Sequence, residues 1–217
     1  EKCKLVQFKK LAPLSEMYGE TYGYRTSLSP LMINHMKKKY LDILKKNIIK
    51  KNSNMLDIGS NDGTFLNFFA NSGFNSLYGI DPSSLKFKNF YNSKINLITS
   101  YFSKEEVYKN IPNKKIKFDL ITSYAMFYDI EKPNEFCKDI YNSLSDKGIW
   151  ILEFSYFPML LKNLTYDQIC HEHVTYYTLT TFEKILRNNK LKIVDFSFNE
   201  INGGSIEIHC AKKHNKI

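Results

Sequence analysis

The chain has 217 residues, 43% of them hydrophobic and 24% charged, which suits one sizeable domain with its own core; no apolar run is long enough for a membrane span. Its net charge of +9 comes from lysine, since Arg25 and Arg187 are the only arginines among 31 basic residues. Solvated lysine faces, rather than the arginine forks that read nucleic acid, account for such a surface. Cys3, Cys137, Cys170 and Cys210 lie far apart with no CxxC pair, which excludes a disulfide framework or complete zinc site and fits a reducing, cytoplasmic setting.

Residues 1–29 form an aromatic, loop-like opening that contains "MYGETYGYRTSLS". Ser29 and Pro30 are an N-cap and a first-turn proline, so a helix is expected over 30–50, with Leu31, His35, Leu41, Leu44 and Ile48 inward. Short apolar runs then alternate with helix-like segments. The runs are 54–59, 76–81, 95–99, 118–124 and 148–155; the helices are 64–72, 83–91, 104–109 and 133–144. This alternation predicts βαβ units. A late helix is expected behind a capping box from Thr180 to Glu183. "LKIVDFSFN" and "SIEIHCAKK" around "EINGGS" predict a closing hairpin. The expected architecture is α/β, with a mainly parallel twisted sheet, an antiparallel C-terminal hairpin and helices on both faces. Residues 30–217 are read as the domain with this architecture.

The first strand ends in "LDIGSNDGT". Asp57 closes the strand, and Gly59, Ser60, Asn61, Asp62 and Gly63 form a turn that lets a ligand approach the main chain. The next strand ends in "GIDPS", which brings Asp81 and Pro82 to its tip, 24 residues after Asp57. An acid there can accept both ribose hydroxyls of a nucleoside, and both acids fall at strand C-terminal ends, where open α/β sheets bind ligands. The turn has neither GxGxxG nor GxxxxGK[ST], so a nucleoside without a pyrophosphate is the better match. The plain alternative is a tight βα turn beside a helix-capping acid. Tyr101 and Phe102 follow the third strand as adenine-side candidates. "SYAMFYDI" offers Ser123, Tyr124, Phe127 and Tyr128 around the fourth.

"YDQICHEHVTYY" (166–177) concentrates two of the five histidines with Glu172 and three tyrosines. His171 and His173 are spaced i, i+2, unlike the i, i+4 pair of a zincin helix, and no third ligand is evident, so no metal is expected. Two readings stay open: a core histidine beside a surface one, or an acid–base site.

"LDIGSNDGTFL" followed by "YGIDPS" resembles the cofactor motifs of class I S-adenosylmethionine-dependent methyltransferases, with Asn61 where that family has its third glycine. "YGETYGYRTSL", "CHEHVTYYTL" and "NGGSIEIHCAK" resemble one branch, the deoxysugar C-methyltransferases, through nearly the whole chain. The resemblance implies a Rossmann-like fold, S-adenosylmethionine as methyl donor with S-adenosylhomocysteine as product, and a nucleotide sugar as small-molecule partner, with neither nucleic acid nor membrane. It implies His173 as base, Glu172 and His171 beside it, and Tyr24 on the substrate side. O- or N-methylation of another small molecule, and a non-catalytic binding module, are the rival readings. The family carries a zinc module before the aromatic opening, of which only Cys3 is matched, and a further domain after the "GGS" strand. The chain is therefore expected to be the catalytic core of something longer or a naturally short relative. Cys170 stands where many relatives have tyrosine, so no hydroxyl carries over to it.

Overall fold

In the computed structural model, which describes residues 3–13, 17–18 and 22–216, Ser29 opens the first helix as its sequence predicts. Its Oγ accepts from the amide of Met32 at 3.3 Å, with Pro30 in the first turn. Among the described residues the helices are α1 (Pro30–Lys45), α2 (Thr64–Asn71), α3 (Lys104–Asn110), α4 (Pro133–Ser143), α5 (Phe157–Asn163) and α6 (Leu179–Asn188). The strands are β1 (Val6–Gln7), β2 (Met55–Ile58), β3 (Leu77–Ile80), β4 (Ile95–Ile98), β5 (Phe118–Tyr124), β6 (Leu144–Ser155), β7 (Thr175–Tyr176), β8 (Leu191–Asn199) and β9 (Ser205–Lys212). No helix among the described residues is long and apolar enough to cross a membrane. The chain divides into two compact units, Tyr18–Thr122 and Glu1–Met17 with Ser123–Ile217.

In the first unit, β2 lies parallel to both β3 and β5, and β3 parallel to β4. Every residue of β2 and β3 is buried, as expected of parallel strands covered on both faces. Helix α1 ends at Lys45 rather than residue 50. Asn47 turns left-handed (φ 52°) and the amide of Ile48 reaches back to the carbonyl of Ile43, a Schellman-type stop. Its inner face also differs from the expected one. His35, Met36, Lys39 and Ile43 are buried, while Leu31 and Leu41 are 65% and 51% exposed. His35 is inward as expected, and the 3.6-residue period runs from it and Met36 through Lys39 to Ile43. Tyr40 packs against Phe68 and Phe69 of α2 and shares a hydrogen bond with Ser72. The segment expected as a helix over 83–91 is a 3₁₀ turn, Ser84–Phe90.

In the second unit, β6 and β8 flank β9, all antiparallel, so the closing hairpin forms as expected. Phe127, Phe136, Trp150, Phe154, Tyr177 and Phe182 build its aromatic core. The cap of α6 is Thr178, not Thr180. Thr178 is extended and its hydroxyl accepts from the amide of Thr181, whose own hydroxyl accepts from the amide of Thr178. A threonine thus closes the box that Glu183 was expected to close. Two elements go beyond the expected set: α5, which ends at a left-handed Leu164, and the antiparallel β1–β7 pair.

Candidate active site

After β2 the chain turns left-handed at Gly59 (φ 72°), Asn61 (φ 47°) and Gly63 (φ 76°). Asparagine is among the non-glycine residues that tolerate this region, so Asn61 holds a left-handed backbone. At Gly63 a side chain is also sterically excluded: a Cβ would lie 2.7 Å from the ring of Tyr91. The Tyr91 hydroxyl donates to the Asn61 carbonyl at 2.6 Å and lies 2.9 Å from Ser60 Oγ, bracing the turn. Burial, more than any neighbouring charge, raises its pKa. No sequence motif singles out Tyr91, because its work is to fill space beside the turn.

The side chains of Asn61 and Asp62 face a segment of protein. Asn61 Nδ2 donates to the Tyr24 carbonyl at 3.0 Å, and its Oδ1 accepts from the Thr26 amide at 2.9 Å. Asp62 Oδ2 accepts from the Ser27 amide at 3.0 Å and lies 3.6 Å from Arg25 Nε. Its Oδ1 accepts from the amide and hydroxyl of Thr64, at the start of α2. Both side chains are committed to this strap and helix. Arg25 Nε also donates to Ser27 Oγ, and its guanidinium lies over the Phe90 ring at 4.2 Å. Tyr24 is 49% exposed, and partial burial raises its pKa.

Asp57 and Asp81 are buried. Asp57 accepts from Thr122 Oγ1 at 2.6 Å. Burial pushes its pKa up to about 7; the Thr122 bond opposes this and the charge of Asp81 adds to it. Asp81 Oδ2 accepts from the Asn61 amide at 2.9 Å, and Oδ1 from the amide and hydroxyl of Ser83 at 2.7 and 2.6 Å. An ionised carboxylate takes about four donors, so one position is left, and a second ribose hydroxyl would have to replace one of these bonds. Pro82 and Phe102 are half-buried. Tyr101 is exposed, and its phenol pKa is raised by partial burial and then by Asp81.

Ser123 is buried and accepts from Trp150 Nε1 at 3.0 Å, and Tyr124 is half-buried. Phe127, expected at the cofactor pocket, has no exposed surface and is ringed by the aromatic core. It is a core residue, because the 3₁₀ turn Phe127–Asp129 aims its ring inward. Its neighbour Tyr128 meets His173, with ring centroids 4.1 Å apart.

Cys170 to His173 form a turn, closed by the His173 amide on the Cys170 carbonyl at 3.2 Å. The turn separates the two histidines: His171 is exposed, while Glu172 and His173 are half-buried. His173 Nδ1 lies 2.9 Å from the carbonyl oxygen of Gln168. Burial lowers the His173 pKa, opposed by that bond and by the charges of Glu172 and Asp167, so the ring is neutral at pH 7. A buried histidine outside this turn, His209, bonds Glu207 at 3.0 Å.

Residues 32–195 match the family model of a methyltransferase domain. The chain belongs to that family. This methyltransferase domain is 26% identical over 211 residues to the C-methyltransferase NovU of Streptomyces niveus, covering 97% of this chain and 49% of NovU. The chain spans about half the length of the curated relatives it matches. In fold it resembles the PH0226 protein of Pyrococcus horikoshii OT3, with a TM-score of 0.63 at 14% identity, covering 89% of this chain and 97% of that one. It also resembles the plantazolicin methyltransferase BpumL, solved with SAH, with a TM-score of 0.58 at 16% identity and 84% of each chain covered. The fold is thus the Rossmann-like methyltransferase fold, and the cofactor that this family implies is S-adenosylmethionine. The residues present fit this cofactor. Asp81 keeps one acceptor position, and Asp57 is a buried acid that a ligand's positive charge would ionise.

Proposed function

We propose that this domain transfers a methyl group to carbon on a nucleotide-linked keto-deoxysugar, with His173 as the base that creates the carbon nucleophile. The observation that carries the reading is His173 itself: a half-buried, neutral imidazole with one ring nitrogen engaged by a carbonyl, in the segment that most specifically resembles sugar C-methyltransferases. Carbon does not attack a methyl donor unless it is made nucleophilic. Removal of the proton beside a ketone gives an enolate, and a neutral histidine suits that task near pH 7. The similarity to NovU, a C-methyltransferase, along almost all of this chain supports the reading.

His173 takes the proton from the carbon alpha to the ketone, and Glu172 favours the imidazolium that results. Tyr24 serves the substrate side as a hydroxyl donor to sugar or enolate oxygen. Asp81 accepts from the cofactor ribose, and Asp57 answers its positive charge. S-adenosylmethionine, when bound, would supply an electrophilic methyl group for the enolate carbon, with S-adenosylhomocysteine as the by-product. The protein's share of that step is alignment.

The test is incubation of the protein with methyl-labelled S-adenosylmethionine and a panel of nucleotide 4-keto-deoxysugars, with the labelled position located by NMR. The proposal expects a new carbon–methyl bond next to the ketone. Label on oxygen or nitrogen contradicts it, and so does cofactor binding without transfer to any sugar on the panel.

A further inference from the structure

We propose that Gln168 is the positioning residue of His173, fixing which ring nitrogen receives the substrate proton; this rests on the reading of His173 as a base. The Gln168 carbonyl oxygen lies 2.9 Å from His173 Nδ1 and accepts the Tyr176 hydroxyl at 3.2 Å. A carbonyl can only accept, and two donors fill its two lone pairs. The hydrogen between Gln168 and His173 must therefore sit on Nδ1, which leaves the lone pair on Nε2. The Tyr128 ring, 4.1 Å from the imidazole, packs against it and resists a ring flip. When Nε2 takes the proton from carbon, Nδ1–H stays bonded to Gln168 O as a charge-assisted bond. Glu172 and Asp167 are the charged groups that act on the imidazolium.

The carbonyl is held in turn by two ties. Gln168 Oε1 accepts from Ser155 Oγ, the last residue of β6, at 3.1 Å, and Gln168 Nε2 donates to Asp167 at 3.0 Å. The chain before it adds a further hold. The Gln168 amide donates to the Thr165 carbonyl, and Thr165 lies against Gly203 so closely that a Cβ there would sit 2.5 Å away. Asn163 Nδ2 donates to the Gly203 carbonyl at 2.9 Å, and a Cβ on Gly204 would meet Met159 at 2.7 Å. The "NGGS" turn, left-handed from Asn202 to Gly204, is therefore the seat of the element that ends in Gln168. Its two glycines serve this close approach rather than ligand contact.

The experiment is ¹⁵N–¹H correlation of the His173 ring near pH 7.5 in the wild-type protein and in Ser155→Ala and Gln168→Ala, which remove one tie from its two sides. The wild type should show the proton on Nδ1 and an unprotonated Nε2. Each variant that keeps native amide spectra should show a mixture of tautomers. A wild-type ring protonated on Nε2 overturns the proposal, as does an unmixed Nδ1–H tautomer in both folded variants. The measurement needs no substrate. A His173→Asn protein with undiminished methyl transfer would remove the base reading while leaving this tautomer result to be read separately.

Discussion

The cofactor turn and the histidine turn solve different problems with different parts of the chain. Residues 57–63 with Asp81 work through main-chain conformation and buried carboxylates. Three left-handed residues set the path, Tyr91 fills the space behind Gly63, and Asn61 and Asp62 spend their side chains on the Tyr24–Ser27 strap. Residues 170–173 work through one side chain on a partly exposed turn, whose orientation comes from a carbonyl at Gln168 and a ring at Tyr128. A binding turn can be compact in sequence because backbone geometry is local. An acid–base group draws its supports from wherever the fold brings a carbonyl or a ring to it.

The largest expected effect falls on the second region. His173→Asn should lower turnover on a nucleotide keto-sugar by about 10²–10⁴, the scale of a lost general base. Its affinity for S-adenosylhomocysteine by calorimetry should stay within a factor of about two. A joint loss of both would erase the division of labour between the regions. Next comes Asp81→Ala, which should weaken S-adenosylhomocysteine binding by about 1.5–3 kcal/mol, as for hydrogen bonds to a charged group. Unchanged calorimetric affinity in a folded variant would remove Asp81 from the cofactor site.

Gly63→Ala tests the backbone half of the comparison. A left-handed φ and a Cβ driven into Tyr91 should together cost about 1–3 kcal/mol in urea unfolding. Tolerance of alanine would mean the turn is looser than its geometry. Cofactor affinity should also depend on pH through Asp57. With its pKa raised to about 7 in the free protein, Asp57 is largely protonated at pH 6 and ionised at pH 8. A ligand ammonium favours the ionised form, so affinity for S-adenosylhomocysteine should rise up to about tenfold across that interval and then level off. Asp57→Asn should flatten the curve; a flat wild-type curve would separate Asp57 from the ligand's charge. The smallest effect belongs to Cys170→Ala. The turn uses only this residue's carbonyl, so turnover should change by less than about twofold. A large loss would give the thiol a role that its place in the turn does not predict.

The parallel strands were legible because both faces are buried and their apolar runs end in turn residues; β5 matches its expected span of 118–124. The loop motif was legible for the same local reason. What escaped were contributions carried by packing or by main chain. Tyr91 and Gln168 look ordinary in sequence because one supplies a ring edge and the other a carbonyl. The adjacent aromatics Phe127 and Tyr128 differ only in which way a 3₁₀ turn points them, and the expected cofactor ligand Phe127 belongs to the core. On the inner face of α1 His35 is buried as expected, whereas Leu31 and Leu41 face outward and Met36 and Ile43 take their place. The turn at 170–173 explains why His171 and His173 part despite their i, i+2 spacing.

The central claim is that His173 removes a proton from carbon before any methyl group moves. Its most direct test is solvent deuterium wash-in at the carbon alpha to the ketone of a nucleotide keto-deoxysugar, with S-adenosylhomocysteine bound and no methyl donor present. The account predicts exchange by the wild-type protein and its loss in His173→Asn. Absence of exchange by a wild-type protein that still methylates the sugar, or exchange undiminished in His173→Asn, would contradict it.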